Sequence, residues 1–246
     1  MMHVFVKGQF PEVPRAIFSG AMVKLVLMDM AGTTVEDPDG VGRCLKEALT
    51  EANIAWKHDE VNAIMGIPKP VAISTLAEAA GINLGEEDIN RIHRRFQSRM
   101  LHYYRTDPEV KEIEGATSLF RTLKSRGIKV ALDTGFDRSI VEAILERLNW
   151  GADLLDATVA SDEVSQGRPY PDLVYRAMEL TGVSEVGDVA KVGDTPSDLG
   201  EGTAAGCGWV IGVTSGTHRE ELLLPHPHTH LIHSIRELPS LFGLSE

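Results

Sequence analysis

From Glu112 onward, helical periodicity alternates with short buried strands: Lys129 to Leu132, Ala157 to Ala160, Val189 to Val192, Trp209 to Val213 and His230 to His233. Few folds accept that order. Strands separated by helices pair in parallel, and the helices must then cover both faces of the sheet. An earlier apolar run, Val23-Lys24-Leu25-Val26-Leu27-Met28, supplies one more strand over Lys24 to Met28. Between that strand and the rest, from about Gly40 to Tyr104, the spacing is helical only. Val41, Leu45, Ala48 and Ala52 make one stripe, and Ile89, Ile92, Phe96, Met100 and Tyr103 make another. The Pro68-Lys69-Pro70 segment interrupts this region, and Gly81 and Gly85 bracket a turn between its later helices. The expected fold is α/β, with a doubly wound, Rossmann-like parallel-sheet core over residues 23–37 and 109–246 and an inserted helical unit over 38–108. Residues 1–22 precede it as an extension, expected to be an extra strand, a loop or a tail.

A chain of 246 residues with 43% hydrophobic content can bury a substantial core. Its formal net charge of −12 argues against a nucleic-acid or anionic-membrane partner. Cys44 and Cys207 lie far apart and outside metal-ligand spacing, which points to a reducing compartment and no disulfide framework. Pro11 and Pro14 break the only candidate leader, so a cytoplasmic location is expected.

In an open doubly wound sheet, ligands bind outside the carboxyl ends of the strands. Chemistry-bearing residues collect there. The first strand runs into Asp29-Met30-Ala31-Gly32-Thr33-Thr34, the second into Asp133-Thr134-Gly135, and a later one into Gly193-Asp194-Thr195-Pro196-Ser197-Asp198. Between them lies Gly167-Arg168-Pro169-Tyr170-Pro171, which presents a cation. Each part has a job in phosphoryl transfer, where positioning and charge neutralisation dominate. Asp29 is placed to attack phosphorus, while the Thr134 hydroxyl and the Gly135 N–H can donate to non-bridging oxygens. Arg168 brings a permanent charge with a planar donor fork. Asp194, one oxygen of Asp29 and a backbone carbonyl near Ala31 suit Mg²⁺, with Asp198 orienting Asp194 or a metal-bound water. Thr33 and Met65 are further candidates for contact with substrate.

This four-part order resembles the haloacid dehalogenase superfamily of aspartate-nucleophile hydrolases, over the whole chain except the extension. The resemblance implies that the helical insertion is a cap closing over the site. Within that superfamily, Asp29-Met30-Ala31-Gly32-Thr33-Thr34, Gly167-Arg168-Pro169-Tyr170-Pro171 and Lys191-Val192-Gly193-Asp194-Thr195 look like the phosphonoacetaldehyde hydrolase (phosphonatase) branch. That branch carries alanine where other members carry an acid/base aspartate, here Ala31. It also implies a Schiff-base lysine in the cap, and Met65-Gly66-Ile67-Pro68-Lys69 resembles the surrounding motif, which makes Lys69 the candidate. Dimerisation through the cap is likewise implied by resemblance.

The implied chemistry accounts for Ala31. If Lys69 condenses with an aldehyde, the protonated imine is an electron sink, and C–P cleavage leaves an enamine that needs no leaving-group acid beside Asp29. One position departs from the branch: a histidine follows its lysine by three residues, whereas this chain has Ala72. His58 or another group of the insertion would then have to handle protons. The alternative on the same scaffold is a small-molecule phosphate-ester phosphatase. A dehalogenase would leave the Asp194/Asp198 pair without a use, and a non-catalytic metabolite sensor would not need the nucleophile. His226, His228, His230 and His233 read as a loop leading into a late strand and not as a metal site. Met28, Met30 and Met100 read as packing residues.

Overall fold

The computed structural model describes residues 22–244; apart from Met22, the expected N-terminal extension lies outside them. Among the described residues six strands form one sheet: β1 (Leu25–Asp29), β2 (Lys129–Asp133), β3 (Ala157–Val159), β4 (Val189–Gly193), β5 (Trp209–Val213) and β6 (His230–Ile232). Their spatial order is β3-β2-β1-β4-β5-β6 and every pair is parallel. β1 lies between β2 and β4, with Leu27 opposite Ala131 on one side and Lys191 on the other. The strand order reverses around β1, so the crevice at its carboxyl end is the expected ligand site.

Helices α1 (Gly40–Glu51), α2 (His58–Ala63), α3 (Lys69–Ala79) and α4 (Glu86–Thr106) form the insertion between β1 and α5 (Ala116–Ser125). The core then continues with α6 (Arg138–Leu148), α7 (Asp172–Thr181), α8 (Pro196–Ala205), α9 (Glu220–Leu223) and α10 (Leu238–Leu241). No helix among the described residues is long and apolar enough to cross a membrane.

Side chains alternate across a strand, and here the alternation divides the core in two. Val26, Met28, Val130 and Leu132 pack toward α5 and α6, with Phe120 and Ile144. Leu25, Leu27 and Ala131 pack toward α7 and α8, with Leu173, Ala177 and Leu199. The same period puts Asp29 on the Leu27 face, Asp133 on the Ala131 face, and Lys191, which sits across from Leu27, on that face too. Three buried charged side chains therefore project to one side of the sheet.

The insertion is stitched to the first of these cores. The stripe residues Leu45, Ala48, Phe96 and Met100 are fully buried and continuous with the α6 side of the sheet. Ala52 and Ile89, at the ends of their stripes, are only partly buried. The Pro68-Lys69-Pro70 interruption falls between α2 and α3, but Lys69 itself is the first residue of α3. Proline tolerates the first helical turn because its missing N–H has no partner to lose there. Cys44 and Cys207 are buried free thiols. The histidine tract enters β6 as expected: His228 Nδ1 lies 2.7 Å from the His226 carbonyl, and His230 stacks on Trp209.

Phe96→Ala should remove about 3–5 kcal/mol of stability, the cost of emptying a buried aromatic site. Urea unfolding monitored by circular dichroism measures it, and a loss below about 1 kcal/mol would mean that the insertion does not share the core's cooperative unit.

Candidate active site

Asp29 closes β1 with its carboxylate on the α7/α8 face, and what meets it there is a guanidinium. Arg168 Nη1 donates to Asp29 Oδ1 at 2.5 Å. The rest of the Arg168 fork is also committed. Nη2 donates to Asp133, Nε donates to Glu201 Oε2 at 3.0 Å, and Asp198 Oδ1 lies 3.0 Å from Nη1. Lys191 backs the same anions, 2.5 and 2.7 Å from the two Asp133 oxygens, 3.0 Å from Glu201 and 3.2 Å from Asp198. All of these side chains are buried. Asp133, Lys191 and Glu201 were not singled out by sequence reading. The available signal was a lysine in the middle of a run otherwise apolar enough for a buried strand, a placement tolerated only with a partner.

Arg168 brings the expected cation to Asp29, and its donors are all held by carboxylates, with the residue also on the cavity wall. Thr33 departs from the expected contact with substrate. Its hydroxyl donates to Asp194 Oδ1 at 2.9 Å, so it orients that carboxylate and does not line the cavity. Asp194 Oδ2 accepts the Thr217 N–H at 2.6 Å. A Cβ on Gly32, whose φ is +95°, would collide with Asp194, so the loop after β1 can pass this close only as glycine. Asp198 does not hydrogen-bond Asp194. Its Oδ2 accepts from the Thr195 N–H at 3.1 Å and the Thr195 hydroxyl at 2.6 Å, which caps α8 while leaving Oδ1 toward the cations.

Oxygens of Asp29, Asp194 and Asp198 lie within 4.8 Å of one another. Burial, reinforced by Asp198, pushes the Asp194 carboxyl up to about 6. Burial likewise pushes Asp29 up to about 8 against the pull of Arg168, with Asp198 and Asp194 adding repulsion. Crowded, desolvated carboxylates of this kind are the donor set of a hard dication, which would favour their ionised forms. The residues present fit such an ion.

Facing Asp29 across a cavity of about 30 Å³ is Lys69. The same walls include Ala31, Asp37, Met65, Thr134, Gly135 and Arg168. Met65 is thus on the cavity as expected, whereas Met30 is core. Lys69 is 2% exposed, and its ammonium sits 5.8 Å from the centroid of Phe136. Desolvation lowers it from 10.5 to about 8, opposed by Asp29 and Asp37 and assisted by Arg168. Its place at the positive end of α3 works in the same direction. A Cβ on Gly135 would stand 3.0 Å from the Gly66 and Ile67 carbonyls, so this glycine lets the insertion's loop settle on the core. Thr134 Oγ1 accepts the Phe136 N–H at 3.2 Å and keeps its proton to donate. Ala72 is buried without a polar atom, and His58 is an exposed residue bonded to Asn62, outside the cavity.

Against this geometry, the sequence matches the haloacid dehalogenase-like hydrolase family over residues 26–212. The chain belongs to that family. The phosphonoacetaldehyde hydrolase of Lysinibacillus sphaericus is 30% identical to this hydrolase over 212 residues, 79% of this chain and 76% of that one. A crystal structure of a phosphonoacetaldehyde hydrolase-like protein from Oleispira antarctica matches with a TM-score of 0.82 at 22% identity, over 94% of this chain and 95% of that one. A predicted phosphoglycolate phosphatase from Haemophilus somnus matches with a TM-score of 0.73 at 18% identity, over 89% and 98%. The fold is thus shared with proteins described as phosphatases. The family assignment makes this chain a hydrolase of the phosphonatase-like branch.

Lys191→Met should cost about 3–5 kcal/mol at neutral pH, because it leaves Asp133 and Glu201 with only half their buried countercharge; urea unfolding reads the loss. Lys69→Met should act in the opposite direction. Lys69 binds its proton less tightly folded than unfolded, so it destabilises the fold at pH 7, and the penalty fades as pH rises from about 8 to 10.5. The variant should gain up to about 3 kcal/mol at pH 7, with the gap to wild type closing by pH 10.5. A gap independent of pH would contradict a buried, proton-depleted amine.

Proposed function

We propose that this hydrolase cleaves the C–P bond of phosphonoacetaldehyde or a close analogue, with Lys69 forming an imine and Asp29 accepting the phosphoryl group. The observation that carries the reading is Lys69 itself. It is a desolvated amine drawn down to about 8, aimed into the cavity that also holds Asp29 and has only Ala31 where a leaving-group acid would stand. An amine in that state is an effective nucleophile near neutral pH.

In this reading Lys69 attacks the aldehyde carbon, and the imine nitrogen, positively charged, draws the electron pair of the breaking C–P bond into an enamine. Asp29, oriented by Arg168 Nη1 at 2.5 Å, attacks phosphorus from its place at the end of β1. Thr134 and the Gly135 N–H donate to the phosphoryl oxygens, which fixes the direction of attack. Asp29, Asp194, Asp198 and the Ala31 carbonyl would hold Mg²⁺, and the bound ion supplies positive charge against the phosphoryl oxygens. The insertion acts as the cap: it carries Lys69 and Met65 to the core and excludes water from the imine. The enamine carbon then takes a proton from water, which restores the imine, the hydroxide left behind releases phosphate from Asp29, and hydrolysis of the imine releases acetaldehyde.

The test is phosphate release from phosphonoacetaldehyde in the presence of Mg²⁺, beside a panel of small phosphate esters. Lys69→Ala should lower turnover of the aldehyde by at least about 10³-fold, the loss typical of a removed nucleophile. Ester hydrolysis that survives the substitution, with no activity on the aldehyde, would move the chain to a phosphate-ester phosphatase.

A further inference from the structure

An imine mechanism needs a group that moves protons at the condensing oxygen, and the two candidates the sequence offers do not serve. Position 72 is alanine, and His58 is on the outside of the insertion. The cavity wall supplies another. Among the described residues, the one carboxyl or amine lining it besides Asp29 and Lys69 is Asp37. Asp37 sits in the crossing from β1 to α1, where its Oδ1 accepts the Gly40 N–H at 2.5 Å and the Val41 N–H at 3.1 Å. Its Oδ2 has only a long 3.4 Å approach to the Val41 N–H, and the residue lines the cavity.

Tyr103 and Tyr104 from α4 wall the start of α1, both with buried hydroxyls that have no hydrogen-bond partner, and Tyr103 touches Gly40 closely enough that no Cβ would fit there. Asp39 and Lys69 are the charged groups that act on Asp37. Burial raises the Asp37 carboxyl above the usual range, against the pull of the two backbone N–H groups. Lys69 and Asp37 form no direct ion pair among the described residues, yet each feels the other's charge. The space between them is the cavity.

We propose that Asp37 is the acid–base group for Lys69, delivering and recovering the proton as the imine forms and hydrolyses. The proposal rests on the imine reading of the site. The cycle begins with Lys69 as the free amine and Asp37 as the carboxylic acid. Lys69 adds to the carbonyl carbon, and its nitrogen proton passes to the oxygen to give a neutral carbinolamine. Asp37 then protonates that hydroxyl. The C–O bond breaks, water leaves with the bonding pair, and the nitrogen lone pair closes the C=N bond, leaving a cationic imine beside the Asp37 carboxylate. After C–P cleavage and protonation of the enamine carbon, Asp37 takes a proton from the water that adds to the imine. Collapse of this second carbinolamine releases the aldehyde and restores the amine and the carboxylic acid.

The experiment is reductive trapping with borohydride, using acetaldehyde as the probe so that imine formation is read without phosphoryl transfer. Modified enzyme is followed by intact mass and the site located by peptide mapping, for wild type, Asp37→Asn and Asp37→Ser. Both substitutions keep an acceptor for the α1 N–H groups, so their melting temperatures should stay within a few degrees of wild type. Wild type should be trapped at Lys69, and each variant should be trapped about 100-fold more slowly, the lower end of what a positioned acid contributes. Variants trapped at the wild-type rate would overturn the role of Asp37 and leave the imine reading standing. Wild type that is not trapped at Lys69 would overturn both.

Discussion

The buried ion network around Arg168 and Lys191 is the constraint on which the site depends. Two cations hold Asp29, Asp133, Asp198 and Glu201 in a region with almost no exposure to water. Such a cluster is costly to desolvate and is stabilised only where each member has well-aligned partners. Here four segments contribute one or more members each: the ends of β1 and β2, the loop before α7, and β4 with the first turns of α8. None of these can shift without stranding a charge. Rigidity of Asp29 thus comes from electrostatics at the sheet's edge as much as from packing beneath it.

The network's charge balance has a chemical meaning. Carboxylates outnumber their partners, and the imbalance shows in the upward shifts of Glu201 and Asp29, each driven first by burial, while Asp133, closest to both cations, is held below the usual carboxylate range despite its burial. The surplus gathers on the side of Asp194, where Thr33 and the Thr217 N–H fix the last carboxylate. The protein therefore holds its anions in two compartments. One is tied to Arg168 and Lys191, and the other, with Asp194, is a set of carboxylates that could hold a metal ion.

Much of this was legible in the sequence because the signals were periodic. The strands and the stripes Leu45/Ala48 and Phe96/Met100 follow from spacing alone. So does the gathering of Asp29, Thr134, Arg168 and Asp194 at one end of the sheet, because chain order at strand ends maps directly onto space. What escaped was set by side-chain partners far apart in the chain. Thr33 stands in a motif that suggests contact with substrate, and only the approach of β4 shows its hydroxyl given to Asp194. Arg168 reads in the sequence as a cation, but its four acceptors come from other segments and are known only from the fold. Asp37 carries no pattern at all: an acid before a helix reads as a partner for the first N–H groups, which its Oδ1 is, and its place on the cavity wall follows only from the packing of α3 nearby.

Lys69 rides on the insertion while Asp29 is fixed to the sheet, and the cavity between them has room for about two waters. On the proposed function, a metabolite would enter with the two parts apart. An amine wetted by bulk solvent is an ordinary, protonated lysine. On the same reading, closure of the insertion would carry a proton out as it brings the aldehyde in, so that the amine becomes reactive only when sealed against its partner. Chemical order would then be set by wetting and drying one side chain, and stray aldehydes meeting the open protein would find an inert ammonium.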